Sequence, residues 1–275
     1  MTVIATDLDR TMIYSRNAVG PGFDESDLVC VEYYQGAPLS YMTVTAVAAL
    51  RKLAAGVRVV PTTTRTIEQF ERIELPGAPW RYAITSNGGN ILVDGVADRQ
   101  WRASIEDATH RGGASLSAVA TELRHHVDDD WVDKFRIADD LFCYLVVRPE
   151  LVPAEFRPRW GRWCAERGWT VSQQGRKIYM MPQAICKSRA IAEVRSRLVA
   201  DGEIDSDNQL LAAGDGGLDA EMLASADAAI RPRHGELHTL GWTNPNLTIT
   251  EGTGILAGEE ILRWFAERVA RQGPS

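Results

Sequence analysis

Apolar positions along the chain follow two rhythms, and the switch between them divides it. Val3-Ile4-Ala5-Thr6 is a short, nearly unbroken apolar run that stops at Asp7. Such runs predict strands buried on both faces of a parallel sheet. The strand ends there because Asp7 and Asp9 cannot enter a dry core without partners. Over 43–53, Val44, Val47, Ala48, Leu50 and Leu53 recur at helical spacing, and Gly56 closes that helix. A strand over 57–61 runs into Thr62-Thr63-Thr64-Arg65, and a helix over 66–72 follows. Strand, helix and strand in this order make a βαβ unit. Residues 18–40 carry glycines, prolines and acids and predict loops. Within them, Val29-Cys30-Val31-Glu32-Tyr33-Tyr34 reads as one strand of a hairpin near the polar end of the sheet.

A different texture begins near Tyr82. Residues 84–96 predict strands joined by tight turns at Asn87-Gly88-Gly89 and Asp94-Gly95. Helices are expected over 116–126 and 154–167, with strand pairs 132–137/141–148 and 169–173/177–181. Hairpins interleaved with helices indicate an α+β layer. The parallel rhythm returns at Lys187, which opens a helix with Ile191, Val194 and Leu198 on one stripe. Leu210-Leu211-Ala212-Ala213 follows as an apolar strand and ends in Gly214-Asp215-Gly216-Gly217-Leu218-Asp219. A short helix over 220–224, a strand over 228–230 and a helix over 255–270 complete the pattern. The expected fold is α/β: a discontinuous Rossmann-like parallel-sheet core, 1–82 and 183–275, with an α+β domain inserted over 83–182.

Composition narrows the function. Of 275 residues, 45% are hydrophobic and 24% charged, enough for a full core. A net charge of −7 argues against nucleic acid as partner, since phosphate backbones call for clustered Lys and Arg. Neither a membrane-length apolar run nor a signal peptide is expected. The four cysteines, Cys30, Cys143, Cys164 and Cys186, form no CxxC pair, so a reducing cytoplasm is the expected setting. Of the five histidines, His125 and His126 read as a solvated helix end, and His110, His234 and His238 show no triad pattern.

Four polar clusters then stand in a fixed order at strand or helix ends: Asp7 with Asp9, Thr63, Lys187, and Asp215 with Asp219. Parallel sheets collect ligands along this carboxyl edge. Taken singly, Thr63 reads equally as a turn threonine and Lys187 as a solvated lysine at a helix start. Their chemistry is complementary when taken together. Asp7 can attack phosphorus, Asp9 can protonate the departing oxygen, Thr63 can donate to a phosphoryl oxygen, and Lys187 can neutralise charge. Asp215 can complete a Mg2+ site with Asp7, while Asp219 orients metal-bound waters. The implied partner is a small-molecule phosphate ester.

Asp7-Leu8-Asp9-Arg10-Thr11, Thr63-Thr64-Arg65, Lys187 and Gly214-Asp215-Gly216-Gly217-Leu218-Asp219 resemble the four motifs of the haloacid dehalogenase superfamily. The insert resembles the α/β cap of its sugar-phosphatase branch, which includes Cof-type, sucrose-phosphate and mannosyl-3-phosphoglycerate phosphatases. The resemblance implies Asp7 as nucleophile and Asp9 as general acid/base. It also implies Mg2+ held by Asp7, the Asp9 backbone carbonyl and Asp215. Leu218 stands where the fourth motif usually has asparagine, and Thr64 where glycine is common in the second.

Selectivity is expected from the insert closing over the site. Asn87, Lys134, Arg136, Arg176 and Lys177 are the candidate contacts there, with Thr11 and Arg65 from the core. Trp160 and Trp163 read as core residues, and Trp101 and Trp131 as either core or sugar-stacking platforms. The leading expectation is a Mg2+-dependent phosphatase acting on a sugar phosphate or phosphoglycerate derivative. A phosphosugar mutase and a catalytically weakened phosphate-binding or regulatory protein are the alternatives.

Overall fold

In the computed structural model of the protein, which describes residues 1–271, five parallel strands form the central sheet. Their order is Leu247–Ile249, Ala228–Arg231, Leu210–Ala213, Val3–Thr6 and Arg58–Pro61. Val3, Ile4 and Ala5 are at most 1% exposed. Burying a valine or isoleucine side chain contributes roughly 1.5–3 kcal/mol, which is why this run forms an inner strand.

Register decides where the chemistry lands. Thr6 lies opposite Ala213 on one side and Pro61 on the other. The next residues of all three strands therefore emerge at one level: Asp7, Gly214-Asp215 and Thr62-Thr63. Two helices, Val44–Gly56 and Ile255–Ala270, pack on the sheet through Leu50, Leu53, Ile261, Leu262 and Phe265. Thr43 caps the first of these by accepting the Ala46 N–H, and its hydroxyl donates to Glu259 at 2.5 Å. A small antiparallel sheet of Tyr14–Ser15, Ala37–Thr43 and Leu28–Tyr34 follows the first strand.

The chain divides into two compact units, Met1–Ala97 with Lys187–Ser275, and Asp98–Cys186. The division falls fifteen residues later than the expected start of the insert at 83. The antiparallel strands Tyr82–Thr85, Asn90–Val93 and Val96–Ala97 account for the difference. Ile84 bridges to Thr62 in parallel, and its carbonyl accepts the Thr63 N–H at 2.8 Å, so this hairpin continues the core.

The Asp98–Cys186 unit is built on a four-stranded antiparallel sheet. Its order is Trp169–Gln174, Lys177–Pro182, Phe142–Val147 and Val132–Ala138. Cys143, Leu145, Ile178 and Met180 are wholly buried on one face, in the unit that also contains helices Leu116–Arg124 and Phe156–Ala165. Trp101 and Trp131 are 6% and 5% exposed. They are core residues, which removes the sugar-platform reading. A third helix, Arg99–Gly112, has no counterpart in the sequence reading because only Trp101 and Ile105 of its residues are buried. Asp98 caps it by accepting the Gln100 and Trp101 N–H groups. Among the described residues, no helix is long and apolar enough to cross a membrane.

Candidate active site

The Asp7 N–H still donates to the Ala213 carbonyl, at 2.9 Å, so its backbone belongs to the sheet while its side chain leaves it. The chain then turns back sharply, with the N–H groups of Thr11, Met12 and Ile13 converging on the Leu8 carbonyl. Arg10 takes a left-handed conformation, φ 63°, in this turn. The turn points the Thr11 hydroxyl at Asp7 Oδ2, 3.4 Å away.

Lys187 is wholly buried at the start of helix Lys187–Ala200. A cation at a helix N-terminus opposes the helix dipole, so anionic partners must hold it. Its Nζ donates to Asp7 Oδ1 at 2.5 Å and to Asp219 Oδ1 at 2.6 Å. Asp219 in turn accepts the Gly216 N–H on Oδ2 at 2.8 Å, and the Gly217 N–H is taken by Glu236. Gly214 is required here, because a Cβ would stand 2.5 Å from Asp219 Cβ. Gly235 is required likewise, at φ 86° and 2.5 Å from Asp215 Oδ2.

Asp7, Asp215 and Asp219 each offer a carboxylate oxygen, all within 4.8 Å of one another, and all three residues are buried. Lys187 compensates one of the three charges, and Arg10 Nε stands 3.8 Å from Asp215 Oδ2. Burial pushes the Asp7 carboxyl up to about 7, and Asp219 and Asp9 add to this despite the opposing pull of Lys187. Burial, then Asp7 and Asp219, raise Asp215 well above the usual carboxylate range. For Lys187, burial alone lowers the pKa, but Asp219 and Asp7 overcome it and the net direction is upward. Hard oxygens crowded together with surplus negative charge are the donor set of a small divalent cation. The residues fit Mg2+.

Thr63 is wholly buried, and its Oγ1 accepts the Arg65 N–H at 3.1 Å, leaving the hydroxyl hydrogen to donate elsewhere. Asn87, expected on the insert, belongs to the same unit as Asp7. It is buried at φ 59°, and its N–H donates to the Thr63 carbonyl at 2.9 Å. Its backbone thus braces the threonine turn.

Asp9 and Arg65 are paired with each other, which the sequence does not indicate. The Asp9 carboxylate lies outside the three-carboxylate group and is gripped by one edge of the Arg65 guanidinium, Nε and Nη2, at 2.7 Å each. Arg65, expected to bind substrate, also donates to Glu32 at 2.6 Å. Sequence reading did not single out Glu32. Its signal was a lone carboxylate inside an otherwise apolar and aromatic strand.

In the other unit, Lys134 and Lys177 both lie opposite Val146, and Arg136 and Tyr179 both lie opposite Tyr144. Directly opposed residues share a face of a sheet. Three cations and two tyrosines therefore stand together on the less buried face, with Lys177 Nζ 5.6 Å above the Tyr144 ring. Arg176 is engaged differently, by Asp133 and the Val147 carbonyl.

No protein-family model matches the sequence, and no curated protein matches it. Solved structures do. The sucrose-phosphatase of Synechocystis sp. PCC6803, in complex with sucrose and phosphate, aligns with TM-score 0.68 at 13% identity, over 98% of this chain and 97% of that one. A haloalkanoate-superfamily phosphatase from Bacteroides thetaiotaomicron aligns with TM-score 0.52 at 15% identity, over 97% and 95%. A subclass IIB sugar phosphatase of the same superfamily aligns with TM-score 0.52 at 12% identity, over 97% and 99%. The parallel sheet, the antiparallel insert and these alignments agree: the chain has the fold of the haloacid dehalogenase superfamily phosphatases.

Proposed function

We propose that this protein is a Mg2+-dependent phosphatase that hydrolyses a small sugar phosphate or phosphoglycerate derivative. The observation that carries the reading is the convergence of Asp7, Lys187, Asp215 and Asp219, distant in sequence, on one buried cluster. A buried carboxylate beside a lysine suits nucleophilic attack on phosphorus, because the lysine charge also attracts the phosphoryl oxygens. Asp7 Oδ2, which meets only the distant Thr11 hydroxyl among the hydrogen bonds above, is the attacking oxygen. Attack forms an aspartyl phosphate on Asp7 and breaks the bond to the substrate oxygen. Asp9 supplies the proton that oxygen needs, then takes one from the water that hydrolyses the Asp7 ester. The Thr63 hydroxyl donates to a phosphoryl oxygen.

Asp7 and Asp215 would hold Mg2+ with the Asp9 backbone carbonyl. Asp219, whose oxygens already meet Lys187 and the Gly216 N–H, orients the surrounding waters. The bound ion supplies positive charge against the phosphoryl oxygens. Leu218 contributes no polar group to this set. Lys134, Arg136 and Lys177, with Tyr144 and Tyr179, suit the anionic or hydroxyl-rich remainder of a substrate. Free thiols at all four cysteines fit a reducing cytoplasm.

Turnover of a panel of phosphate esters with and without Mg2+ tests the reading. Release of phosphate from at least one ester, dependent on Mg2+ and lost in Asp7→Asn, is expected. A native protein inert on every ester, or an active Asp7→Asn variant, overturns it.

A further inference from the structure

The Leu28–Tyr34 strand shifts register on both sides of Glu32. Irregularities of this kind re-aim a side chain, and here they turn a carboxylate inward to 0% exposure. Glu32 accepts the Ser40 hydroxyl at 2.6 Å on Oε2 and Arg65 Nη1 at 2.6 Å on Oε1, and Arg72 Nη2 lies 3.6 Å away. A buried ion pair of this sort adds little stability compared with apolar packing. Its effect is to be sought in what it holds.

What it holds is the Arg65 fork. The Arg65 side chain is 10% exposed, and its backbone is fixed as well: the N–H donates to Thr63 Oγ1, and the carbonyl accepts the Ser86 N–H at 2.7 Å. The remaining edge of the guanidinium meets Asp9, Nε on Oδ2 and Nη2 on Oδ1. The Asp9 side chain is 46% exposed, so the accessible acid is tethered to an immobile cation. Bidentate pairing of this geometry fixes orientation as well as distance.

We propose that Glu32 and Arg65 are positioning residues for Asp9: Glu32, anchored by Ser40, immobilises the guanidinium, and the guanidinium aims the Asp9 carboxyl group for proton transfer. This rests on the phosphatase reading above. As the ester bond breaks, the Asp9 proton passes to the departing oxygen, and the carboxylate left behind meets both N–H groups of Arg65. The water that later attacks the Asp7 ester returns a proton to Asp9. In the transfer of the phosphoryl group to Asp7, the step that kcat/KM reads, a misaimed Asp9 harms only esters whose leaving oxygen must be protonated. Esters whose oxygen departs as a stable anion are spared.

The test compares Arg65→Lys and Glu32→Gln with the native protein on two substrates, the fastest alkyl phosphate of the panel and p-nitrophenyl phosphate. Both kcat/KM and inhibition by inorganic phosphate are read. Lysine keeps the charge and loses the fork, and glutamine keeps the Ser40 contact and loses the charge. For the alkyl ester kcat/KM falls by about 10²-fold in each variant, and for p-nitrophenyl phosphate by less than about threefold. Phosphate inhibition stays within about twofold, and Arg65→Met is worse than Arg65→Lys on the alkyl ester. Equal losses on both esters overturn the inference. Weakened phosphate inhibition also overturns it, because Arg65 would then bind the phosphoryl group itself. Circular dichroism melting checks folding, and if Glu32→Gln does not fold, Arg65→Lys decides alone. A native protein inert on both esters removes this inference together with the proposed function. An active native protein, dead as Asp7→Asn, with equal variant losses removes this inference only.

Discussion

The two units hold their charges in opposite ways. Beside Asp7, the charges of Lys187, Asp215 and Asp219 are buried and answer to one another, so Lys187 meets two carboxylates and Asp219 meets both Lys187 and a loop N–H. On the Asp98–Cys186 sheet, Lys134 and Arg136 are exposed and lie side by side with aromatic rings. In a low-dielectric site, charges couple strongly and removing one leaves another uncompensated. On a solvated face each acts nearly alone. The chemistry proposed for the first unit is therefore concentrated at some risk to stability, while the recognition proposed for the second can vary at little risk.

The most severe test of this contrast is Asp7→Asn. Loss of the proposed nucleophile is expected to lower turnover by more than about 10⁴-fold in a phosphate-release assay. Retained activity would dissolve the special standing of the buried cluster. Lys187→Met comes next. Without its cation the cluster holds three mutually repelling carboxylates, and urea unfolding in Mg2+-free buffer should show a loss of about 3–5 kcal/mol. A loss under about 1 kcal/mol would mean that the charges are less coupled than their geometry indicates.

A smaller effect separates the clusters by pH. Asp7 is raised from 3.8 to about 7, chiefly by burial. A carboxyl group whose folded pKa is raised binds its proton more tightly in the native state. Its contribution to stability is complete below the unfolded value and is lost as pH rises through about 7. The metal-free protein should therefore lose stability over that window. Mg2+, which needs ionised ligands, should raise the melting temperature little at about pH 5 and several degrees at about pH 8. A Mg2+ effect independent of pH would contradict this. The mildest change is the triple replacement of Lys134, Arg136 and Lys177 by glutamine. Unfolding free energy should stay within about 0.5 kcal/mol of native. KM for an ester carrying a second anionic group should rise about tenfold, equivalent to about 1.4 kcal/mol.

How much of this was readable before the structure depended on whether a residue's partner is local. Val3–Thr6 and Leu210–Ala213 could be placed because buried parallel strands are apolar throughout and end at charged residues. Their shared register follows from the sheet, so Asp7 and Asp215 come to one edge without further information. Helix Arg99–Gly112 was not read, since only Trp101 and Ile105 of it are buried and its apolar stripe is sparse among charged residues. Strand Leu247–Ile249 was missed because three residues at a sheet edge carry no periodic signal. Arg65 was legible as a site residue, but its pairing with Asp9 and Glu32 was not. Sequence shows that a cation follows Thr63, but not that a carboxylate from another strand lies beneath it. The same blindness hid Glu32, and it moved the domain boundary from 83 to Asp98, because the Thr62–Ile84 bridge is a tertiary contact.

The split of the core by the Asp98–Cys186 unit has a consequence for synthesis. Val3–Thr6 is translated before the insert, yet one of its two neighbours, Leu210–Ala213, is translated only after the whole insert. A nascent chain paused before Lys187 carries the inserted unit complete, with contacts local enough to form at once, beside a half-flanked strand whose aspartates have no lysine. Truncation there should yield an N-terminal half that depends on chaperones beside an autonomous, protease-resistant middle.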